Sequence, residues 1–360
     1  MRSIRLLVPG NIRHSSGGNV YNARLVAGLR ALGVEVEVIS VKGDWPQAGA
    51  TGRRRLGTFL EASEPDAGPA RAVAIVDGLV AVGAPAELEA AAGAGQQIWV
   101  LVHMPVLKSS GAAALENEAR ALRAATGVIC TSTSAASILT KRGLPRAQVA
   151  LPGVDPAPRA VGSTPPHLAV VAALLPNKDQ VLTIEALARI QDLEWTASFV
   201  GSDQADPGYV QEVRAAITAN GLQERLRLEG ELTGEALDAE WARTDLTLLV
   251  SRTEAFGMAV TESLAHGIPV LVREGTGAVE ALGMAGLAAD DGEPRLPGAA
   301  LPLPVGGSES PGRLADVLRQ WLTDTQTRES WRTAALEART RLPDWSSTAR
   351  KMLGILAGRD

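Results

Sequence analysis

Short runs of apolar, often β-branched residues alternate along the chain with longer stretches in which apolar positions recur every three or four residues. Ile4 to Val8 predicts a strand and Gly10 to Gly18 a Gly/Ser/Asn-rich loop. From Asn19 to Leu32 the apolar positions Leu25, Val26, Leu29 and Leu32 predict a helix that Gly33 stops. Val34, Val36 and Val38 then alternate with Glu35 and Glu37, the pattern of a half-buried strand. Further strands are expected at Ala72 to Val76, Ile98 to Val102 and Gly127 to Thr131, with Ala-rich helical stretches such as Ala112 to Ala125 between them. Such β-α-β repetition predicts a mostly parallel sheet with helices on both faces.

A Pro-rich run from Leu151 to Pro166 interrupts the pattern and reads as an interdomain linker. Strands are then expected at Leu168 to Leu174, Trp195 to Val200, Leu226 to Glu229, Leu246 to Val250 and Pro269 to Val272. Helices are expected at Lys178 to Ile190, Tyr209 to Asn220, Glu235 to Arg243 and Met258 to His266. Glu293 to Pro311 reads as a surface loop, followed by helices at Arg313 to Gln326, Arg328 to Arg339 and Ser346 to Leu356. The fold class is therefore α/β, with two Rossmann-like, doubly wound domains expected at 1–157 and 158–340 and a cleft between them. Ligands in such sheets sit beyond the carboxyl ends of the strands, at helix N-termini.

The balance of 35 Lys+Arg against 40 Asp+Glu over 360 residues gives a net charge of −5, which carries no electrostatic footprint for nucleic acid. With 46% apolar residues the chain can bury a core, so bulk disorder is excluded. The basic run Arg53-Arg54-Arg55 reads as a solvated loop, and the stretches 42–66 and 104–112 as loops without a recognisable code. The single cysteine, Cys130, lies in a predicted strand and reads as a core residue; one cysteine excludes an internal disulfide and paired-cysteine zinc sites. The N-terminal apolar run is too short for a secretory signal, and no stretch is long enough to cross a membrane as a helix. A soluble cytoplasmic protein is the expectation.

The chemistry concentrates between Thr247 and Val272. A strand runs into a loop holding Glu254, and Gly257 opens a helix bearing Glu262. Amides around Phe256, Gly257 and Met258, with the helix dipole, favour an anion by ~0.3–1 kcal/mol. Carboxylates beside an anion suit sugar or ribose hydroxyls. The plainer alternative makes Glu254 a surface loop acid and Glu262 a complement to the dipole.

This segment resembles the E-x7-E signature of retaining GT-B glycosyltransferases of family 4, the "group 1" class. Glu254, Phe256, Gly257, Glu262, Ala265, Gly267, Pro269 and Val270 fit its usual run, and Ser263 replaces an Ala. The resemblance implies that Glu254 contacts the donor sugar and Glu262 the ribose. It further implies that the backbone at Phe256 to Met258 touches sugar and phosphate. Gly17, Gly18 and Asn19, which do not fit a dinucleotide fingerprint, resemble the family's N-terminal glycine loop near the donor diphosphate. His103, after a predicted strand, stands where the family often has a histidine near the donor sugar. Leu151 to Asp155 resembles the family's linker, and Asp344-Trp345-Ser346 the start of its last helix, placing a helix at 341–360 that crosses back to the first domain.

One departure stands out. The family's loop after Val170 to Leu174 carries an Arg and, five residues on, a Lys; here those positions hold Ala173 and Lys178. Another cation is then needed, with Arg13 and Arg252 as candidates, or the protein is slow or inactive. The resemblance implies a metal-independent transfer from a UDP-sugar or other nucleoside-diphosphate sugar to a small-molecule or glycan acceptor. No cofactor beyond the donor is expected, and no Asp-x-Asp motif lies near the site. Retention is expected by front-face attack, with Lys178, Glu254 and His103 as catalytic residues and domain closure excluding water. The alternatives are a GT-B sugar-nucleotide epimerase and a non-catalytic nucleotide-sugar-binding protein. The oligomeric state and the identities of sugar and acceptor stay open.

Overall fold

In a computed structural model, residues 3–11, 16–61, 72–284, 286 and 295–358 are described. Arg13, and parts of the stretches 42–66 and 293–311, lie outside the described residues. The chain divides into two compact units, Met1–Gly153 with Trp345–Asp360, and Val154–Asp344. No helix of the described residues is long and apolar enough to cross a membrane.

Unit 1 begins β1 (Ser3–Pro9), α1 (Gly17–Ala31), β2 (Glu35–Val41), α2 (Ala50–Glu61), β3 (Val73–Asp77), α3 (Gly78–Gly83) and α4 (Pro85–Gly93). It continues with β4 (Ile98–Val102), α5 (Ala112–Ala124), β5 (Gly127–Cys130), α6 (Thr133–Lys141) and β6 (Ala147–Val149). The sheet order is β2-β1-β3-β4-β5-β6, every pair parallel. Its central strands are apolar nearly throughout because helices cover both faces. Ile75, Val76, Val100 and Leu101 are 0% exposed. Helix α1 forms where the apolar spacing places it. Ser16 caps its start by accepting from the Asn19 amide at 3.2 Å. Gly33, at φ +80°, lets the chain leave it.

Unit 2 begins β7 (His167–Val171), α7 (Gln180–Ala188), β8 (Thr196–Val200), α8 (Pro207–Ala219), β9 (Leu226–Gly230) and α9 (Gly234–Arg243). It continues with β10 (Leu246–Leu249), α10 (Met258–Ala265), β11 (Val270–Arg273), α11 (Ala278–Met284), β12 (Gly298–Leu301), α12 (Ser310–Thr323) and α13 (Thr325–Ala338). Its parallel sheet runs β12-β11-β10-β7-β8-β9. Trp195, Phe199 and Trp321 fill its core. The last helix, α14 (Trp345–Leu356), packs on α1 within unit 1. Gly28 makes the approach close, since a Cβ there would stand 2.9 Å from the Ala349 Cβ. Trp345 meets Tyr21 edge-on at 5.6 Å.

Several expectations are corrected. Gly298–Leu301, inside the supposed surface loop at 293–311, is strand β12, paired with β11. Turn residues around it masked so short a strand, and the neighbouring β11 decides the outcome. Helix α2 occupies much of the stretch 42–66, and Arg53-Arg54-Arg55 lie on it. There Arg53 donates to Ala48 O at 2.7 Å and lies 3.7 Å from Glu87. The first strand of unit 2 ends at Val171, before Leu174, and α7 starts at Gln180 after a 3-10 turn at Pro176–Lys178. Cys130 is a buried free thiol, and desolvation raises its pKa to about 12, as suits a core residue.

Candidate functional site

In unit 2 the polar residues of interest follow strands, where helix N-termini and loops meet. The loop after β10 is tied to the loop after β7 by the Arg252 amide, which donates to Asn177 O at 2.7 Å. That tie brings Lys178 and Glu254 together: Nζ donates to Oε2 at 2.6 Å. Their side chains are 19% and 13% exposed, so the pair is partly withdrawn from water.

Two glycines shape the loop. Gly257, at φ +88°, opens α10, and a Cβ there would stand 3.0 Å from Leu249. Gly277 presses against the loop from below: its amide donates to Glu254 O at 2.8 Å, and a Cβ would lie 1.7 Å from Ala255 O. Phe256 is buried, anchoring the loop, and Met258 is the first residue of α10. Glu262 is half-buried on the same helix.

Beside Lys178 lies a cluster that sequence reasoning missed. Asp179 is buried and takes a left-handed backbone at φ +57°. Its Oδ1 accepts from Arg252 at 2.7 Å, and its Oδ2 accepts from Arg273. Arg273 is buried and also donates to Val250 O and Leu303 O. Burial lowers the Arg273 pKa, Asp179 opposes that effect, and the Arg252 charge adds to it. One carboxylate thus serves two guanidinium groups. Arg252, 41% exposed, is bound to Asp179. Ala173, where the resemblance expects Arg, contributes its carbonyl to Gln180 Nε2 at 3.0 Å.

In unit 1, Gly17 and Gly18 open α1, and the Asn19 amide is taken by the Ser16 cap. His103 follows β4. Its Nε2 lies 3.0 Å from Asn22 Oδ1 and 3.4 Å from Asp77 Oδ2. Gly18 packs on the ring: a Cβ there would stand 3.2 Å from His103 Cδ2. The structure therefore joins Gly18 to His103 and Lys178 to Glu254. Asn22 and Asp77 went unseen in the sequence, although a lone Asp closing an apolar strand is a readable signal.

Two six-stranded parallel sheets, each with helices, make this an α/β fold of the GT-B class. The chain is similar to the Anabaena protein HepE solved with UDP and glucose, with a TM-score of 0.73, 18% identity and coverage of 99% of this chain and 100% of that one. It is likewise similar to sucrose-phosphate synthase from Thermosynechococcus elongatus, with a TM-score of 0.76, 17% identity and 99% of each chain covered. At such identities the likeness is one of fold.

The family described as "Glycosyl transferases group 1" matches residues 155–338, just over half of the chain, and the chain belongs to that family. A D-inositol 3-phosphate glycosyltransferase from Jonesia denitrificans is 27% identical over 206 residues, 54% of this chain. The match spans 44% of that relative's length.

Proposed function

We propose that this chain moves a sugar from a nucleoside-diphosphate sugar, UDP-sugar favoured, to a small-molecule or glycan acceptor. The transfer proceeds with retention, by front-face attack, and without a metal. The observation that carries the reading is the Lys178–Glu254 ion pair. Two residues 76 positions apart, each singled out by the family resemblance, meet at 2.6 Å. HepE, solved with UDP-glucose, supports UDP as the nucleotide.

The barrier lies in the departure of a diphosphate from an oxocarbenium-like carbon, so charge must be stabilised on the leaving oxygen. Lys178 supplies one cation. Asp179 carries one negative charge between two arginines, which leaves the half-exposed Arg252 as the second cation in place of the missing Arg at Ala173. The start of α10 adds its amides and dipole. Glu254 accepts hydrogen bonds from sugar hydroxyls once Lys178 turns to phosphate, and Glu262 holds the ribose. The acceptor oxygen bonds to the anomeric carbon on the face from which the carbon–phosphate-oxygen bond breaks. The leaving phosphate oxygen takes the acceptor's proton. In unit 1, the Gly17 and Gly18 amides and His103 act toward the same class of substrate.

A thermal-shift screen of nucleoside diphosphates and their sugars, followed by labelled-sugar transfer, tests this. A donor at 100 times its Kd should add ~2.7 kcal/mol of stability. Transfer or slow hydrolysis of that donor is expected. Tight binding with neither, across a wide panel, would favour a non-catalytic sugar-nucleotide binder, the reading that Ala173 encourages. Conversion of the sugar without any acceptor would favour an epimerase.

A further inference from the structure

We propose that Asn22 and Asp77 fix His103 in its Nε2–H form, so that Nδ1 offers its lone pair to a hydroxyl of a sugar substrate. The substrate clause rests on the glycosyltransferase reading; the fixed ring does not.

Asp77 is 4% exposed at the end of β3. Its Oδ1 accepts from the Leu79 amide at 2.9 Å, capping α3, and its Oδ2 accepts from Asn22 Nδ2 at 3.1 Å. A carboxylate only accepts, so the Asn22 amide must turn its nitrogen to Asp77 and its oxygen to His103. His103 Nε2 therefore faces two acceptors, Asn22 Oδ1 and Asp77 Oδ2. Both require a hydrogen on Nε2. A neutral imidazole carries one such hydrogen, so Nδ1 is bare.

The rest of the ring is enclosed. Gly18 packs on it, and Tyr21 meets it edge-on at 5.3 Å. Tyr21 donates its own hydroxyl hydrogen to Ala150 O at 2.8 Å, and burial pushes its pKa up, so it stays neutral. Thr131 donates to the His103 carbonyl at 3.3 Å and leaves the ring untouched. Nδ1 makes no hydrogen bond to a described residue. Asn22 and Asp77 are positioning residues. They decide which face of the imidazole accepts, and His103 is the group that meets substrate.

Long-range ¹H–¹⁵N correlation of the histidine rings in the full chain tests the first clause, with the His103 signals assigned by their loss in His103→Gln. The expected pattern for neutral His103 is Nε2–H. A dominant Nδ1–H pattern in the unmodified protein would overturn the proposal, whether or not any variant folds. Asn22→Ala and Asp77→Asn should each bring the Nδ1–H form to a comparable share; an unchanged spectrum in both would remove their role.

The second clause is read with UDP-sugar and by kinetics. Asn places an acceptor near the Nδ1 position and Gln near Nε2, so kcat/KM should fall at least tenfold in His103→Gln and clearly less in His103→Asn. Equal losses would overturn the clause. UDP-sugar should shift the Nδ1 resonance in the unmodified protein; turnover without such a shift would overturn the clause alone. Absence of binding by any sugar nucleotide would sink both the clause and the glycosyltransferase reading, while the ring assignment stands on its own spectrum.

Discussion

His167 is held by a carboxylate and two hydroxyls, and His103 by a carboxylate and an amide, yet one cluster is closed and the other open. His167 is 2% exposed at the start of β7. Its Nδ1 pairs with Thr196 Oγ1 at 2.7 Å, and its Nε2 with Ser198 Oγ at 3.0 Å and Glu240 Oε1 at 2.9 Å. Ser198 donates to the same carboxylate, and Arg243 takes its other oxygen at 2.6 Å. Both nitrogens of His167 and both oxygens of Glu240 are occupied. His103 lies past the carboxyl end of β4, and its known bonds engage Nε2 alone. Saturated polar groups at the amino ends of strands hold a fold. Polar groups left partly open at the carboxyl ends are where a parallel sheet does its chemistry.

The sharpest way to break this comparison is to remove one member from each kind of cluster. Glu240→Ala leaves His167 and Arg243 without their shared partner and should cost ~3–5 kcal/mol of stability by urea unfolding, with UDP affinity intact below the transition. Lys178→Ala should do the reverse. Its urea midpoint should move little, while turnover drops by ~10²–10³, the usual cost of losing one preorganised donor to a developing oxyanion. An unaffected rate would remove Lys178 from the mechanism.

Smaller effects sharpen the contrast within the donor site. Glu262→Ala should weaken UDP binding by about tenfold, or ~1.4 kcal/mol, in calorimetry. Glu254→Ala should lower turnover more than nucleotide affinity. Unchanged UDP and GDP binding in Glu262→Ala would refute the ribose assignment.

Acid sensitivity probes the closed cluster from another side. Burial alone would raise the Glu240 pKa, but hydrogen bonds from His167, Ser198 and Arg243 together hold it at about 2. A carboxyl depressed below its ordinary value of 4.5 gives stability that is complete above that pH and lost as pH falls toward 2. Acid titration of the unfolding free energy should show that loss in the unmodified protein and a shallower one in Glu240→Gln.

Much of the architecture was legible because buried parallel strands are continuous apolar runs and helices carry their own period. Strand β12 was not, since Gly298 to Leu301 is four residues among turn formers and takes its conformation from β11. Helix α2 was hidden by three arginines that raise its polarity while Leu56 and Leu60 still reach the core. At the site, Glu254 and Lys178 were visible through their motif positions. Asp179, Arg273, Asn22 and Asp77 were not, because their roles arise from bonds across 94, 73 and 55 residues of sequence that no local pattern encodes.

The chain order of the two units has its own consequence for biosynthesis. Unit 2 is one uninterrupted segment, whereas unit 1 is split and takes α14 from beyond it. A ribosome therefore releases every residue of unit 2 before it releases Trp345, Ala349, Met352 and Ile355, the apolar side chains that α14 buries. The long first segment of unit 1, Met1–Gly153, must wait through the translation of its neighbour with the groove beside Gly28 unfilled, exposed to chaperones throughout that interval.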